Sequence, residues 1–249
     1  MVSAPFATAQ ETCAQSLLHE RLMVEDDAYR QQHLAFEKRL ADKRSRISAS
    51  ARSNDELLVL PVVFHIIQSD EQDPVPDAQM QQALQHLNDA FANTGYYNAA
   101  QGSNTYIQFC MAQRTPDNLP STGVERVTSP LAVMEEQEND IELKNLSRYE
   151  PLHYINIWVV EEVCINGNCN FLGYAYLPGA HGQDRDGIVV EADYTGTSPD
   201  SSSILAHEMG HYLGLYHTFE GGCGNDNCLF DGDRVCDTPP DQTTAKPPC

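Results

Sequence analysis

His207-Glu208-Met209-Gly210-His211-Tyr212-Leu213-Gly214-Leu215-Tyr216-His217 is the stretch of this 249-residue chain whose residue types and spacing can do chemistry. Histidines four apart on a helix project from one face, one turn apart, so His207 and His211 can reach a single metal ion. Gly214 can take a left-handed backbone conformation that ends the helix and turns the chain, swinging His217 back toward the same ion. Three neutral imidazoles with a fourth position open describe a catalytic zinc site rather than a closed structural one. Such a zinc acidifies its bound water and polarises a carbonyl oxygen. Glu208, on the open side, can take the water's proton as general base. The reaction this supports is hydrolysis of a peptide bond. The competing reading is a histidine-rich amphipathic helix without metal, and the added spacing of Gly214 and His217 weighs against it.

The elements that must hold these residues can be read in coarse form. Leu57 to Gln68 is a near-continuous apolar, β-branched run, predicted to be a buried strand. Asp77 can N-cap a helix running to about Asn93, with Ala83, Leu84, Leu87 and Phe91 on one face. Thr105–Gln113 and His153–Val160 read as strands, Phe171–Leu177 and Gly187–Ala192 as shorter ones, Glu135–Tyr149 as a helix, and Thr115–Pro130 as a loop. Ser198–Ser203 supplies caps for the helix that carries His207. Strands alternating with helices predict an α/β (α+β) fold, a sandwich around a mixed sheet. Residues 11–47 read as helical but polar, with a thin stripe of Leu17, Leu18, Leu22, Leu34, Phe36 and Leu40. That stripe is too small for a core of its own. Residues 48–56 read as a linker open to proteases. The expected division is therefore 1–52, an N-terminal appendage, and 53–249, the catalytic unit.

Charge is divided in the same way. Residues 1–52 carry eight Lys/Arg and seven Asp/Glu, and residues 53–249 carry seven and twenty-nine. An acidic body excludes nucleic acid as the expected partner and is compatible with calcium and with cationic peptides. No run of eighteen apolar residues exists to span a membrane. Ala7-Thr8-Ala9-Gln10 reads as the tail of a signal peptide. Eight cysteines favour an oxidising, extracellular compartment. Cys164 and Cys169 flank an Asn-Gly turn and can bridge it, whereas the connectivity of Cys223, Cys228, Cys236 and Cys249 is open.

The long zinc motif, together with His217-Thr218-Phe219-Glu220-Gly221-Gly222-Cys223 and Gly232-Asp233-Arg234-Val235-Cys236-Asp237-Thr238-Pro239-Pro240, resembles the metzincin metalloendopeptidases. Within them it resembles the pappalysin family, from about Leu57 to Cys249. The resemblance implies a metzincin-type domain with a mostly parallel twisted sheet, zinc on His207, His211 and His217, and a peptide or protein substrate. It implies that Gly173-Tyr174-Ala175 forms the sheet edge above the cleft, where an extended substrate can add as a strand. It implies calcium near the site, with Asp233, Asp237 and the Thr238 carbonyl as candidate ligands. It implies that residues before the linker act as a propeptide, with Cys13 as a zinc ligand of the latent state, a partner for its own catalytic domain. A methionine-bearing turn after the third histidine is absent, and seven cysteines besides Cys13 leave an odd one. The expectation is thus a C-terminally truncated zymogen of a secreted zinc endopeptidase. The alternative is a non-catalytic, zinc-stabilised binding module, for which Glu208 would have no use.

Overall fold

The computed structural model describes residues 13–46, 56–70, 75–100, 102–222, 227, 231–236 and 238–241. The expectations for the signal-peptide tail, for most of the 48–56 linker and for Asp237 lie outside these residues. In chain order the elements are α1 (Gln15–Glu25), α2 (Asp27–Arg46), β1 (Leu58–Gln68), α3 (Asp77–Ala92), β2 (Ile107–Met111), β3 (Val124–Thr128), β4 (Val133–Glu135) and α4 (Glu136–Asn145). They continue with β5 (Ile155–Val160), β6 (Glu162–Ile165), β7 (Asn168–Phe171), β8 (Gly173–Ala175), β9 (Ile188–Glu191) and α5 (Ser203–Tyr212).

The long apolar β1 organises a six-stranded sheet ordered β2-β1-β5-β9-β8. Its first half, Leu58–Val62, pairs with β2, and its second half, Phe64–Gln68, pairs along β3, both parallel. β5 and β9 follow in parallel, and β8 closes the far edge antiparallel to β9. The sheet is thus mixed and mostly parallel, as predicted. Central strands of such a sheet are buried on both faces, and alternate residues divide between two cores. Phe64, Ile66, Ile157, Val159, Ile188 and Val190 face α3 and α5, against Met80, Ala83, Leu87, Leu205 and Met209. On the other face, Ile67, Trp158, Val160, Tyr174, Tyr176 and Val189 meet Leu143 of α4 and Ala14, Leu18, Leu22 and Tyr29 of the N-terminal segment. Of the thin stripe read in residues 11–47, Leu18 and Leu22 enter this core, joined by Ala14 and Tyr29, whereas Leu17 and Leu34 are half exposed.

Several elements depart from the sequence reading. The 115–130 segment contains β3, because Val124-Glu125-Arg126-Val127-Thr128 finds an unfilled stretch of β1 to pair with. The N-terminal helix is two helices. Asp26 leaves helical geometry and its carboxylate accepts the Tyr29 N–H at 3.0 Å, capping α2. Pro76, not Asp77, occupies the N-cap position of α3, and Asp77 instead pairs with Arg126 of β3. Ser202 caps α5 by position, yet its hydroxyl serves His86 and the Gly196 N–H. α4 buries a charged face, with Glu136, Asp140 and Lys144 all at most 2 % exposed. Lys144 Nζ lies 2.7 Å from Asp140 and over the Tyr176 ring, while Tyr174 donates to Asp140 and Tyr176 to Glu136. Arg21 of α1 reaches the same Glu136 at 2.7 Å. The expected disulfide joins Cys164 to Cys169. The Asn166 and Gly167 N–H groups at the hairpin tip both donate to Glu135.

If α1 is a wall of the core, truncating it should cost what a core truncation costs. Leu18→Ala is expected to lower unfolding stability by about 2–5 kcal/mol, seen as a lower urea midpoint at unchanged slope. Leu17→Ala, one position round the helix and half exposed, is expected to stay within about 0.5 kcal/mol.

Candidate metal centre and active site

α5 carries His207 and His211 on one face, and the turn behind it brings in His217. Leu213 ends the helix, and Gly214 takes φ +106°, a value that would strain any residue with a side chain. The Leu215 N–H then bonds back to the Gly210 carbonyl at 2.9 Å. This compact turn returns His217 so that its Nε2 lies 3.1 Å from His211 Nε2, while His207 Nε2 lies 2.9 Å from it on the other side. Cys13 Sγ is 3.4 Å from the same His211 nitrogen. All four donor atoms lie within 4.8 Å of one another. Among the described residues, the other group of this kind is Glu162, Cys164 and Cys169, and its two sulfurs are spent on each other.

The rest of each ring decides what the centre can hold. His211 Nδ1 faces the Leu215 carbonyl at 2.8 Å, so Nδ1 carries the proton. His217 Nδ1 faces the Ser16 hydroxyl at 3.1 Å and the Glu220 carboxylate at 3.5 Å, which fixes the same tautomer. Phe219 stacks on the His217 ring, centroids 4.6 Å apart. Two Nε2 lone pairs therefore face each other across 3.1 Å, with the third imidazole and a sulfur beside them. Lone pairs in that arrangement repel unless a cation lies between them. Three imidazoles and a thiol form a borderline-soft, four-donor set of the kind zinc takes. The residues present fit zinc.

Glu208 is 1 % exposed, and its Oε2 has no hydrogen-bond partner. Burial pushes its carboxyl up to about 8, against hydrogen bonds from the Cys13 thiol and the Ala175 N–H. Burial likewise raises Cys13, helped by the Glu208 carboxylate beside it, and lowers His207 to about 4 and His211 further. A dication at the centre would reverse the pull on the acid groups, because it favours their ionised forms.

The rim is β8. Gly173 has no room for a side chain, since a Cβ would lie 2.8 Å from the Val189 carbonyl. Its outer edge is met by Cys13 in a parallel bridge. The Tyr174 ring is turned into the second core, so only the backbone of that residue is offered at the edge. Beside the three imidazoles, Ala206, His207, His211, Tyr216, His217, Asp233 and Asp241 are among the residues lining a cavity of about 440 Å³. Of the proposed calcium ligands, Asp233 accepts the Val235 N–H at 2.9 Å and the Thr238 N–H donates to the Val235 carbonyl. Among the described residues no carboxylate cluster for calcium forms there. Among the described residues Cys13 and Cys110 are free thiols and Cys236 is disulfide-bonded, while Cys223, Cys228 and Cys249 lie outside the described residues.

Sequence reasoning missed Ser16, Phe219, Glu220 and the Ala175 N–H. Glu220 alone had a signal, since a carboxylate three residues after a ligand histidine can fold back on it within one turn. Ser16 reaches the site only because α1 starts immediately after Cys13.

Residues 137–248 match a peptidase family described as "Pregnancy-associated plasma protein-A". An extracellular metalloprotease of Colletotrichum graminicola is 25% identical over 224 residues, covering 84% of this chain and 67% of that protein. One from Verticillium alfalfae is 35% identical over 111 residues, covering 41% of this chain and 36% of that protein. The chain thus spans between about one third and two thirds of the length of these curated relatives. Among solved structures, a mutant promirolysin of Tannerella forsythia aligns with TM-score 0.68 at 24% identity, covering 93% of this chain and 76% of its own. Mature mirolysin of the same organism, in complex with a cleaved peptide, aligns with TM-score 0.61 at 26% identity, covering 77% and 74%. The match through the zinc-motif region and the shared fold agree: residues 137–248 are similar to the pappalysin peptidase family, and the chain has the fold of the mirolysins.

Proposed function

We propose that this chain is an extracellular zinc-dependent endopeptidase held latent by its own residues 1–52. The observation that carries the reading is the convergence of three imidazole nitrogens and one thiol beside a buried glutamate that has an unpartnered oxygen. His207, His211 and His217 hold the metal in every state, and Cys13 adds a fourth donor in the latent one. Zinc, when bound, supplies polarisation of the scissile carbonyl and acidification of the attacking water. Glu208 accepts that water's proton and passes it to the leaving nitrogen. The backbone of Gly173–Ala175 pairs with an extended substrate and sets the scissile bond over the imidazoles. The cavity beside the imidazoles, bordered by Tyr216 and Asp241, takes a substrate side chain.

Latency rests on Cys13 meeting the donor atoms and the rim at once, so that neither is free while α1 is docked. The solved relatives are consistent with this division. Promirolysin covers 93% of the chain and mature mirolysin 77%. Activation is then a cut in the 48–56 linker followed by loss of the segment. The extracellular setting is supported by the relatives' names and by the Cys164–Cys169 bridge.

Purified chain saturated and then desalted is expected to retain one zinc per molecule by elemental analysis, and His211→Ala to retain far less. Equal zinc in both would end the reading. Glu208→Ala is expected to keep the metal while peptide hydrolysis by the linker-cut chain falls by about 10²–10⁴-fold. Undiminished hydrolysis would assign the proton transfer to another group. Cys13→Ala is expected to raise hydrolysis by the uncut chain while leaving the activity after the linker is cut unchanged. A Cys13 variant as silent as the parent would mean that bulk, not the thiol, keeps the enzyme latent.

A further inference from the structure

The partners of the three imidazoles differ. His211 gives its Nδ1–H to a main-chain carbonyl, that of Leu215, which travels with the turn itself. His217 has a carboxylate on that side, but a hydroxyl from the N-terminal segment stands in between. Ser16 Oγ lies 3.1 Å from His217 Nδ1 and 2.7 Å from Glu220 Oε2. The Glu220 oxygen is 3.5 Å from the same nitrogen, too long for a good hydrogen bond. The consistent assignment is a relay, in which Nδ1–H donates to the Ser16 oxygen and the Ser16 hydroxyl donates to Glu220.

Glu220 is held where it could act alone. Its N–H bonds to the His217 carbonyl at 3.1 Å, and its own carbonyl accepts the Gly232 N–H at 3.0 Å. The turn from His217 to Glu220 is thus pinned independently of the Glu220 side chain, and Phe219 fixes the plane of the His217 ring. The carboxylate is three-quarters shielded. With Ser16 gone, a movement of about half an ångström would bring Oε2 within ordinary hydrogen-bond distance of Nδ1. A carboxylate behind a ligand imidazole fixes the ring's tautomer and orientation and makes its other nitrogen a better donor.

We propose that Glu220 is a positioning residue for His217, acting through the Ser16 hydroxyl while the N-terminal segment is docked and directly once it has left. This rests on the zinc reading above and adds to it. The segment touches the centre twice, at the donor atoms through Cys13 and behind the third histidine through Ser16. Docking therefore replaces a carboxylate contact on His217 by a neutral hydroxyl contact, and release restores it.

A double-mutant cycle on zinc affinity of the full chain, measured by competition with a chelator, tests the proposal. Ser16→Ala should leave affinity within about threefold, because Glu220 closes on the ring. Glu220→Ala in the parent should cost modestly, because the Ser16 oxygen still accepts. Glu220→Ala in the Ser16→Ala background should cost roughly 10–100-fold. Glu220→Gln, whose amide oxygen can accept the same proton, should recover most of that loss. The His217 Nδ1–H signal in a proton spectrum of the zinc-loaded chain should shift with Glu220→Gln while the corresponding His211 signal stays. Equal costs of Glu220→Ala in both backgrounds, or none in either, overturn the proposal and leave the centre intact. A parent chain that binds no stoichiometric zinc overturns the centre itself, which is a different result.

Discussion

The structure depends on keeping three imidazole lone pairs pointed at one place. Two come at no special cost, because positions four apart on α5 share a face. The third needs the chain to stop its helix, reverse, and present a side chain within six residues of His211. Gly214 makes the reversal possible, and the Leu215 backbone closes it by bonding to Gly210 on one side and to the His211 ring on the other. The residue whose N–H closes the turn also chooses the tautomer, through its carbonyl. Backbone geometry and ligand chemistry are thus one constraint, and the sheet supplies the rigid base for it, with Leu205 and Met209 of α5 packed on its face.

On the other face the fold is completed by residues that precede β1. Leu18, Leu22 and Tyr29 fill space against Trp158, Tyr174 and Tyr176, and Arg21 meets the buried carboxylate of Glu136. Burying the Lys144–Asp140 pair carries a desolvation cost that only close geometry and further hydrogen bonds offset. Here the offset comes from the Tyr174 hydroxyl, the Arg185 carbonyl and three aromatic rings around the ammonium. That network ties the rim strand to α4, so the rim's position is set from beneath as well as by β9.

Much of this was legible in the sequence, and the reasons differ by residue. The motif from His207 to His217 is local, so helical period and one glycine suffice to read it. β1, β5 and β9 are legible because strands buried on both faces are apolar throughout. β3 was hidden because its alternation is short and lies among prolines and serines, and only the free length of β1 makes it a strand. α4 was legible as a helix, but its buried face was not, since Glu136, Asp140 and Lys144 carry the signature of a solvated surface. The polar N-terminal segment carries too few apolar residues for a core of its own, so its need for a partner is legible, although which of its leucines would be buried is not. That Ser16 would arrive behind His217 depends on the register of α1 after Cys13, which no local pattern encodes.

The single bridge between Cys13 and Gly173 also bears on how the molecule keeps itself apart from its copies. β8 is an outer strand, and an outer strand with free N–H and C=O groups is a template for any extended chain, including another copy of itself. On the proposed reading, an edge that accepts an extended peptide cannot be blocked permanently with a proline or a charge. β8 is three residues long, enough to guide a peptide and too short to zip two sheets together, and the segment carrying Cys13 covers it from the start. If the N-terminal segment leaves on activation as proposed, guarding against self-association and guarding the centre are the same contact, and the edge becomes exposed only when the site is ready to fill it.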